Sequence, residues 1–456
     1  MTRALLGLAV ALIGLLPLGT GVLFLTRTPF RAGLAAFTGI AAAMVLLPPL
    51  VYVGVPPSLP IVLGLGAVAL IAGLLAGRRR LGRGHVAPFP LLVLAAPLVL
   101  LAARGIQKPV DQYDAFANWA LKAKLLYFDR SFASASIAPP VHREYPLGLP
   151  SIEAYVFHVM GSPNTRVAHV LFACFLAGLA LVAWNVLRPH VEALPLTAGL
   201  SLLLWMPAAR EQALSAYADV PLACLFVSAV LLFAGERVAL GSVFAAAALA
   251  TKRDAVVFYA VLYGVAFAAL LVRRERERLR AMGFSAFWVA LSAVPWRVFD
   301  AVHDLHDRDV APSLSRADQL PFVLGRFGHL AVERAYLWAL PLATVAAVVM
   351  VIRGRDRQLA LGVLALGLGL VAALALVYVS GTTGVRYLVR STAERTLITP
   401  TLLAAAVLPL LVTRALGTHP PGAARARDRT RPRLPRRPRR GRRRPEAVSR
   451  APGTSS

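Results

Sequence analysis

"LALGVLALGLGLVAALALVYV", residues 359–379, holds twenty-one residues without one charge, and the Tyr378 hydroxyl is its only polar side-chain group. A helix of that length crosses a hydrocarbon core of roughly 30 Å. Comparable runs recur along nearly the whole chain, at 4–26, 34–55, 59–77, 87–104, 166–187, 193–209, 218–235, 239–251, 255–272, 282–299, 335–352 and 396–412. The 456 residues are 58% hydrophobic and 16% charged, with mean hydropathy +0.66. A soluble chain of this length would divide into domains with charged surfaces, which this composition excludes. The expected fold is an all-α polytopic membrane protein of about 11–13 transmembrane helices. The segment 239–251 is short enough to be half-buried or re-entrant. Leu5–Leu25 is as long as a span and lacks a small-residue cleavage site, so it reads as a span and not as a cleaved signal peptide.

Charge orders these segments. Formal net charge is +27, and the stretch from Pro420 to Ser456 carries thirteen arginines against Asp428 and Glu446, a net +11. This Pro/Gly/Arg-rich tail (413–456) is expected to be disordered and to touch anionic lipid headgroups; nucleic acid is not an expected partner. Short basic connections follow the first span (Arg27, Arg31), the third (Arg78, Arg79, Arg80, Arg83), the ninth (Arg273, Arg274, Arg276, Arg278, Arg280) and the eleventh (Arg353, Arg355, Arg357). All fall after odd-numbered spans and so on one face, which the positive-inside rule makes cytoplasmic. The high Ala, Arg and Gly content suggests a bacterial inner or plasma membrane. Cys174 and Cys224 lie inside apolar spans and indicate nothing about redox compartment.

The other face receives most of the remaining polar residues, above all the long stretch 105–165 between the fourth and fifth spans. Within it, "YDAFANWALKAKLLY" (Tyr113–Tyr127) is too polar for a span. At 100° per residue Asp111, Asp114, Asn118 and Lys122 share one arc, opposite Phe116, Trp119, Ala123 and Leu126. Such a helix can lie flat at the interface, with Trp119 as its anchor. It reads either as a connector or as one edge of a site. Later segments put further ionisable groups at the same ends of the spans: "HREYPLGLP" (142–150), "SAYADVPLA" (215–223), "ATKRDA" (250–255), "PWRVFDAVHDLHDRD" (295–309) and "RYLVRSTAERT" (386–396). Charge is costly there unless it faces water or a partner, so the repetition points to a shared cavity.

The order of these motifs resembles the GT-C superfamily of membrane glycosyltransferases, in particular the branch that contains protein O-mannosyltransferases and the lipid A aminoarabinose transferase. The resemblance is carried by Asp114–Lys124, Tyr145–Pro150, Ala216–Ala223, Thr251–Lys252 and Thr392–Arg395 and covers roughly residues 105–412. Ala216 stands where glycine often occurs in the family, and Arg253–Asp254 replaces a commoner Asn–Glu pair, which leaves those two residues without an implied role. Four spans precede the large outer loop where the family typically has one, so residues 1–104 read as an accessory N-terminal bundle.

The resemblance implies transfer of a sugar from a polyprenyl-phosphate carrier to a glycan, lipid or protein acceptor on the non-cytoplasmic face, with inversion at the anomeric carbon. Asp114, or its rival Asp111, would be the general base. Lys252 and Arg395, with Lys122, would hold the donor phosphate. Glu144, Tyr145 and Asp219 would contact sugar or acceptor, or act as struts; packing beside Pro146 is an equal reading for Tyr145, and helix capping one for Asp219. No metal or other cofactor is expected: neither His142 with Glu144 nor His303, His306 and Asp307 shows a ligand spacing. No Walker loop, dinucleotide fingerprint or Asp-x-Asp signature is present. Two other readings stand beside the enzyme: a transporter or flippase of lipid-linked saccharides, and a non-catalytic scaffold recruiting through its tail.

Overall fold

The structure, a computed structural model, describes residues 1–29, 31–76, 88–130, 143–305, 316–380 and 384–417. Every regular element among them is helical, as apolar segments must be where no water can satisfy the backbone N–H and C=O groups. Eight helical runs are long and apolar enough to cross a membrane: Thr2–Leu25, Ala32–Tyr52, Phe89–Gln107, Thr165–Leu187, Asp254–Arg273, Arg276–Val302, Arg357–Ser380 and Val385–Leu416. Leu59–Leu75, Ala193–Trp205, Asp219–Ala234, Val238–Leu249 and Ala339–Ile352 are shorter apolar helices. All thirteen predicted segments therefore carry a helix, and the chain is an all-α polytopic membrane protein. Of the basic connections, Arg78–Arg83 and nearly all of the tail lie outside the described residues.

Several boundaries depart from the sequence reading: the segment predicted at 282–299 is helical from Arg276 and that at 335–352 from Ala339. The segment predicted at 193–209 stops at Trp205, because Met206 precedes a proline and takes ψ 117°, a conformation forced by the clash with the following ring. Pro207 then opens a second helix, Pro207–Leu214, from a first-turn position that needs no N–H. The last span is longer than predicted: helix Val385–Thr396 runs into Ile398–Leu416 through Leu397. The twelve-residue helix Val238–Leu249 rises only about 18 Å, less than a hydrocarbon core of roughly 30 Å.

Asp219–Ala234 is the central helix, buried along nearly its whole length and packed by Thr165–Leu187, Val238–Leu249 and Ile398–Leu416. Near the N-terminus, helix Leu16–Leu25 sits against both Ala32–Tyr52 and Leu59–Leu75. A side chain on Gly19 would strike the Ala35 carbonyl, and one on Gly39 the Leu15 carbonyl, so the two backbones touch as small residues permit in membrane helix pairs. Ala32–Tyr52 also packs on Gly148–Met160, Thr165–Leu187 and Val238–Leu249. The Tyr155 hydroxyl donates to the Ala11 carbonyl at 2.9 Å. Residues 1–76 thus share one apolar core with the rest of the bundle.

The bundle has two chemically different ends. At one, Arg353 and Arg355 donate to the Ala415 carbonyl at 3.0 and 2.7 Å and Arg414 pairs with Asp356 at 3.3 Å. Arg273 and Arg414 lie at this end of their helices, while Asp254 opens Asp254–Arg273 and Arg395 stands just before Ile398–Leu416, both at the opposite end of those helices. That second end is closed on one side by Tyr52 stacked on Phe299, ring centroids 4.5 Å apart, with Leu126, Leu147 and Trp296 in the same apolar cluster.

Candidate active site

Asp114 begins the constellation. It precedes a six-residue π-helical stretch, Ala115–Ala120, in which the Leu121 N–H reaches the Phe116 carbonyl five residues back. Single π turns inside helices recur at functional sites, and this one rewinds the helix between Asp114 and the following α-helical part, Leu121–Phe128. The result differs from a flat interfacial helix. Trp119, Ala123 and Leu126 are buried in protein, and so are Asn118 and Lys122 on the polar arc. Trp119 is 3% exposed and stacks on Tyr145, centroids 5.6 Å apart and planes 13° apart. It is an internal stacking partner and not an interface anchor.

Arg395 comes to Asp114 from the far end of the chain and pairs with its carboxylate. The guanidinium also lies over the Tyr217 ring, 4.5 Å from the centroid, an attractive placement for a cation. The arginine is held by its own helix end. Gln212 Nε2 and the Tyr336 hydroxyl donate to the Glu394 carbonyl at 3.0 and 2.7 Å, satisfying an acceptor that a helix C-terminus leaves open. The Tyr378 hydroxyl bridges Thr392 and Thr396 at 2.8 and 2.9 Å.

Lys252 sits between helices Val238–Leu249 and Asp254–Arg273. Its Nζ pairs with Asp219 at 2.8 Å and Asp254 at 2.9 Å. Each of these carboxylates stands in the first turn of its helix, where negative charge is favoured. Burial alone would lower the lysine pKa, but the two carboxylates hold it well above its ordinary value. Arg395 also feels the Asp219 charge, so the two ion groups are neighbours.

The segment 144–150 is pinned against Lys252 by backbone. Gly148 N–H donates to the Ala250 carbonyl at 2.9 Å. A Cβ on Gly148 would stand 2.5 Å from that oxygen, so this approach requires glycine. Glu144, 7% exposed, lies 3.6 Å from Arg253. Lys122 Nζ donates to the Tyr145 carbonyl at 3.2 Å and lies 5.8 and 5.9 Å from the Trp119 and Tyr145 ring centroids. Its pKa is pushed down to about 7 by burial, against the attraction of Glu144.

Of the residues singled out in the sequence, Asp114, Lys122, Glu144, Tyr145, Asp219, Lys252 and Arg395 thus converge at one end of the bundle. Asp111 does not: it is exposed, lies before the helix and, among the described residues, accepts from Gln112 Nε2 at 3.3 Å. Tyr217, Arg253 and Asp254 belong to the cluster without having been assigned a role. Tyr217 lies inside the quoted Ala216–Ala223 motif, and Asp254 is two residues from Lys252. Ala216, in the glycine position of that motif, has φ +55°, the left-handed region that favours glycine. Among the described residues no group of three His, Cys, Asp or Glu is placed to hold a metal ion; His142, His306 and Asp307 lie outside them. The chain matches no family model, no curated protein and no solved structure.

Proposed function

We propose that the protein is an integral-membrane glycosyltransferase of the hexosyltransferase type, moving a sugar from a polyprenyl-phosphate carrier to an acceptor hydroxyl on the non-cytoplasmic face. The observation that carries this reading is the junction of Asp114 with Arg395 beside Asp219, Lys252 and Asp254, from four separated segments. Those segments are the ones whose order resembles the GT-C superfamily. A carboxylate facing cations is what the displacement requires. As the acceptor oxygen attacks the anomeric carbon, its proton passes to Asp114. The bond from that carbon to the phosphate oxygen breaks, and the negative charge left on the polyprenyl phosphate is met by Arg395 and Lys252. Tyr145, stacked on Trp119, and Glu144 border the acceptor or sugar side. The arginine-rich connections at the opposite end support an extracytoplasmic site. A carrier of lipid-linked saccharides needs its polar groups near the bilayer midplane, whereas this cluster lies at helix ends.

The test is transfer from a panel of polyprenyl-phosphate sugars by purified full-length protein. Asp114→Asn should lower the rate by about 10²–10⁴, while Asp111→Asn stays near wild type. Wild-type rates in both variants would overturn the base assignment, and no transfer from any donor by the wild-type protein would overturn the reading itself.

A further inference from the structure

A groove of about 1660 Å³ indents the bundle and borders none of the ionic residues of the candidate active site. It opens at the arginine-rich end. Its walls are apolar, formed by residues such as Val230, Ala246, Leu262, Ala266, Leu366 and Val407. Ser242 and Ser285, which also line it, satisfy each other at 2.6 Å, and Ser285 is bonded to the Tyr263 hydroxyl at 2.9 Å. Their hydroxyls leave the wall effectively apolar. The groove borders Asp254–Arg273 from Leu262 to Arg273, and Ile398–Leu416 from Leu403 to Arg414. Eleven residues of helix rise about 16 Å, half of a hydrocarbon core of roughly 30 Å. Along Arg276–Ser292 it reaches from Glu277 to Ser292, a rise of about 22 Å, so its depth is at least that of one leaflet. It is partly open and not a sealed chamber, with Phe284 and Trp288 on its lining, both exposed.

The mouth carries charge of one preferred sign. Arg278 is engaged by Glu236 and Glu275, Arg273 by Glu275 at 3.7 Å, and Arg414 by Asp356. Arg27 and Arg237 also line the mouth and make no ion pair with any described residue. Arg31 lies close enough to Arg237 for the two guanidiniums to repel. Against them stands one carboxylate without an ion pair among the described residues, Glu277. Cations at a leaflet-deep apolar slot match one ligand class, a lipid whose anionic head sits at the mouth and whose chains follow the wall.

We infer that this groove is a binding site for an anionic phospholipid of the leaflet at the arginine-rich end, its phosphate held by Arg27 and Arg237 and its acyl chain laid along the wall toward Leu262 and Leu403. The inference rests on the membrane-spanning fold and not on the transferase reading.

Full-length protein reconstituted in nanodiscs of equal phosphatidylglycerol and phosphatidylcholine, then analysed by native mass spectrometry for retained lipid, tests it. Wild type should retain phosphatidylglycerol preferentially. Arg27→Gln/Arg237→Gln should reduce that preference by about tenfold, and Glu277→Gln should raise it. Ala266→Trp, which fills the slot, should reduce retention of both lipids. Arg436→Gln/Arg437→Gln removes the same charge from the tail and should change nothing. Equal retention of the two lipids by wild type would overturn the inference. So would a preference that survives the groove substitutions and disappears with the tail pair.

Discussion

Replacing Lys252 with methionine should destabilise the protein more than replacing either carboxylate that it holds. The side chains of Lys252 and Asp219 are 12% and 6% exposed, and that of Asp254 is 26% exposed. Lys252→Met leaves two carboxylates facing each other with no cation between them. Removing one partner of a buried pair costs about 3–5 kcal/mol, most of it the penalty of the stranded charge. Asp219→Asn strands nothing, because the ammonium keeps Asp254, so its cost falls to about 1–3 kcal/mol for the lost charge-assisted bond. Asp254→Asn breaks the more exposed contact and should cost about 1 kcal/mol or less. Thermal unfolding of the full-length variants in one detergent, followed by tryptophan fluorescence at neutral pH, ranks the three midpoints. The double variant Lys252→Met/Asp219→Asn should unfold at a higher temperature than Lys252→Met alone, since the second change removes a stranded charge. If Lys252→Met melts with the asparagine variants, or the double variant is additive, the shared-lysine reasoning fails.

Three further outcomes follow from particular residues, beside the Asp114 test above. Glu153 is buried, its Oε2 has no hydrogen-bond partner among the described residues, and burial pushes its pKa up to about 8 from 4.5. Between those values the folded state holds a proton that the unfolded chain has released, so stability falls as pH rises. Glu153→Gln removes that slope, and its gain in melting temperature should be larger at pH 8 than at pH 5; an equal gain at both would count against the burial argument. Ala216→Gly relieves about 1–2 kcal/mol of left-handed strain and gives up about 0.8 kcal/mol of buried methyl. The net change should be a gain of about 0–1 kcal/mol in unfolding free energy, and a clear loss would refute it. Gly148→Ala places a Cβ 2.5 Å from the Ala250 oxygen and 2.9 Å from its carbonyl carbon, so the segment must move. A stability loss of about 1–3 kcal/mol should accompany a fall in transfer rate of about 10²-fold for a shift near 1 Å. Unchanged melting would show that this approach is not tight.

The fold was legible because an uncharged run of twenty residues has few stable solutions other than a helix across lipid. The overshoot at 193–209 came from reading hydropathy through Met206–Pro207, where local backbone sterics outweigh composition. The site was legible only as candidates. Asp114, Asp219, Lys252 and Arg395 stand at span ends, where charge demands a reason, but which of them meet depends on contacts spanning up to 281 positions of sequence. Trp119 shows why a helical wheel misled. The wheel separates two faces but cannot show that residues 144–160 cover the apolar one, nor that a π turn rewinds the helix after Asp114. Asp254 was set aside because it departs from the family pattern; its use as the second partner of Lys252 is visible only in three dimensions.

The same contacts set the order in which the proposed donor could engage the site. Lys252 is held by two carboxylates from two helices, each reinforced by its first-turn position. Arg395 is paired directly with one carboxylate, that of Asp114, lies over the face of Tyr217 and feels Asp219 without an ion pair to it. A lipid phosphate entering this cluster competes with the carboxylates for cations, and Arg395 is the easier to win. A guanidinium can bridge two oxyanions through different N–H groups, so Arg395 can turn toward the phosphate while remaining over Tyr217. Each hydrogen bond that it withdraws from Asp114 returns an acceptor lone pair to the carboxylate, and a general base needs one free. Donor binding and base activation would then be a single exchange at Arg395. Lys252 would stay fixed by its two carboxylates and supply a stationary positive charge. In this arrangement Arg395→Lys keeps the charge but loses the fork, so it should impair the chemical step more than donor binding.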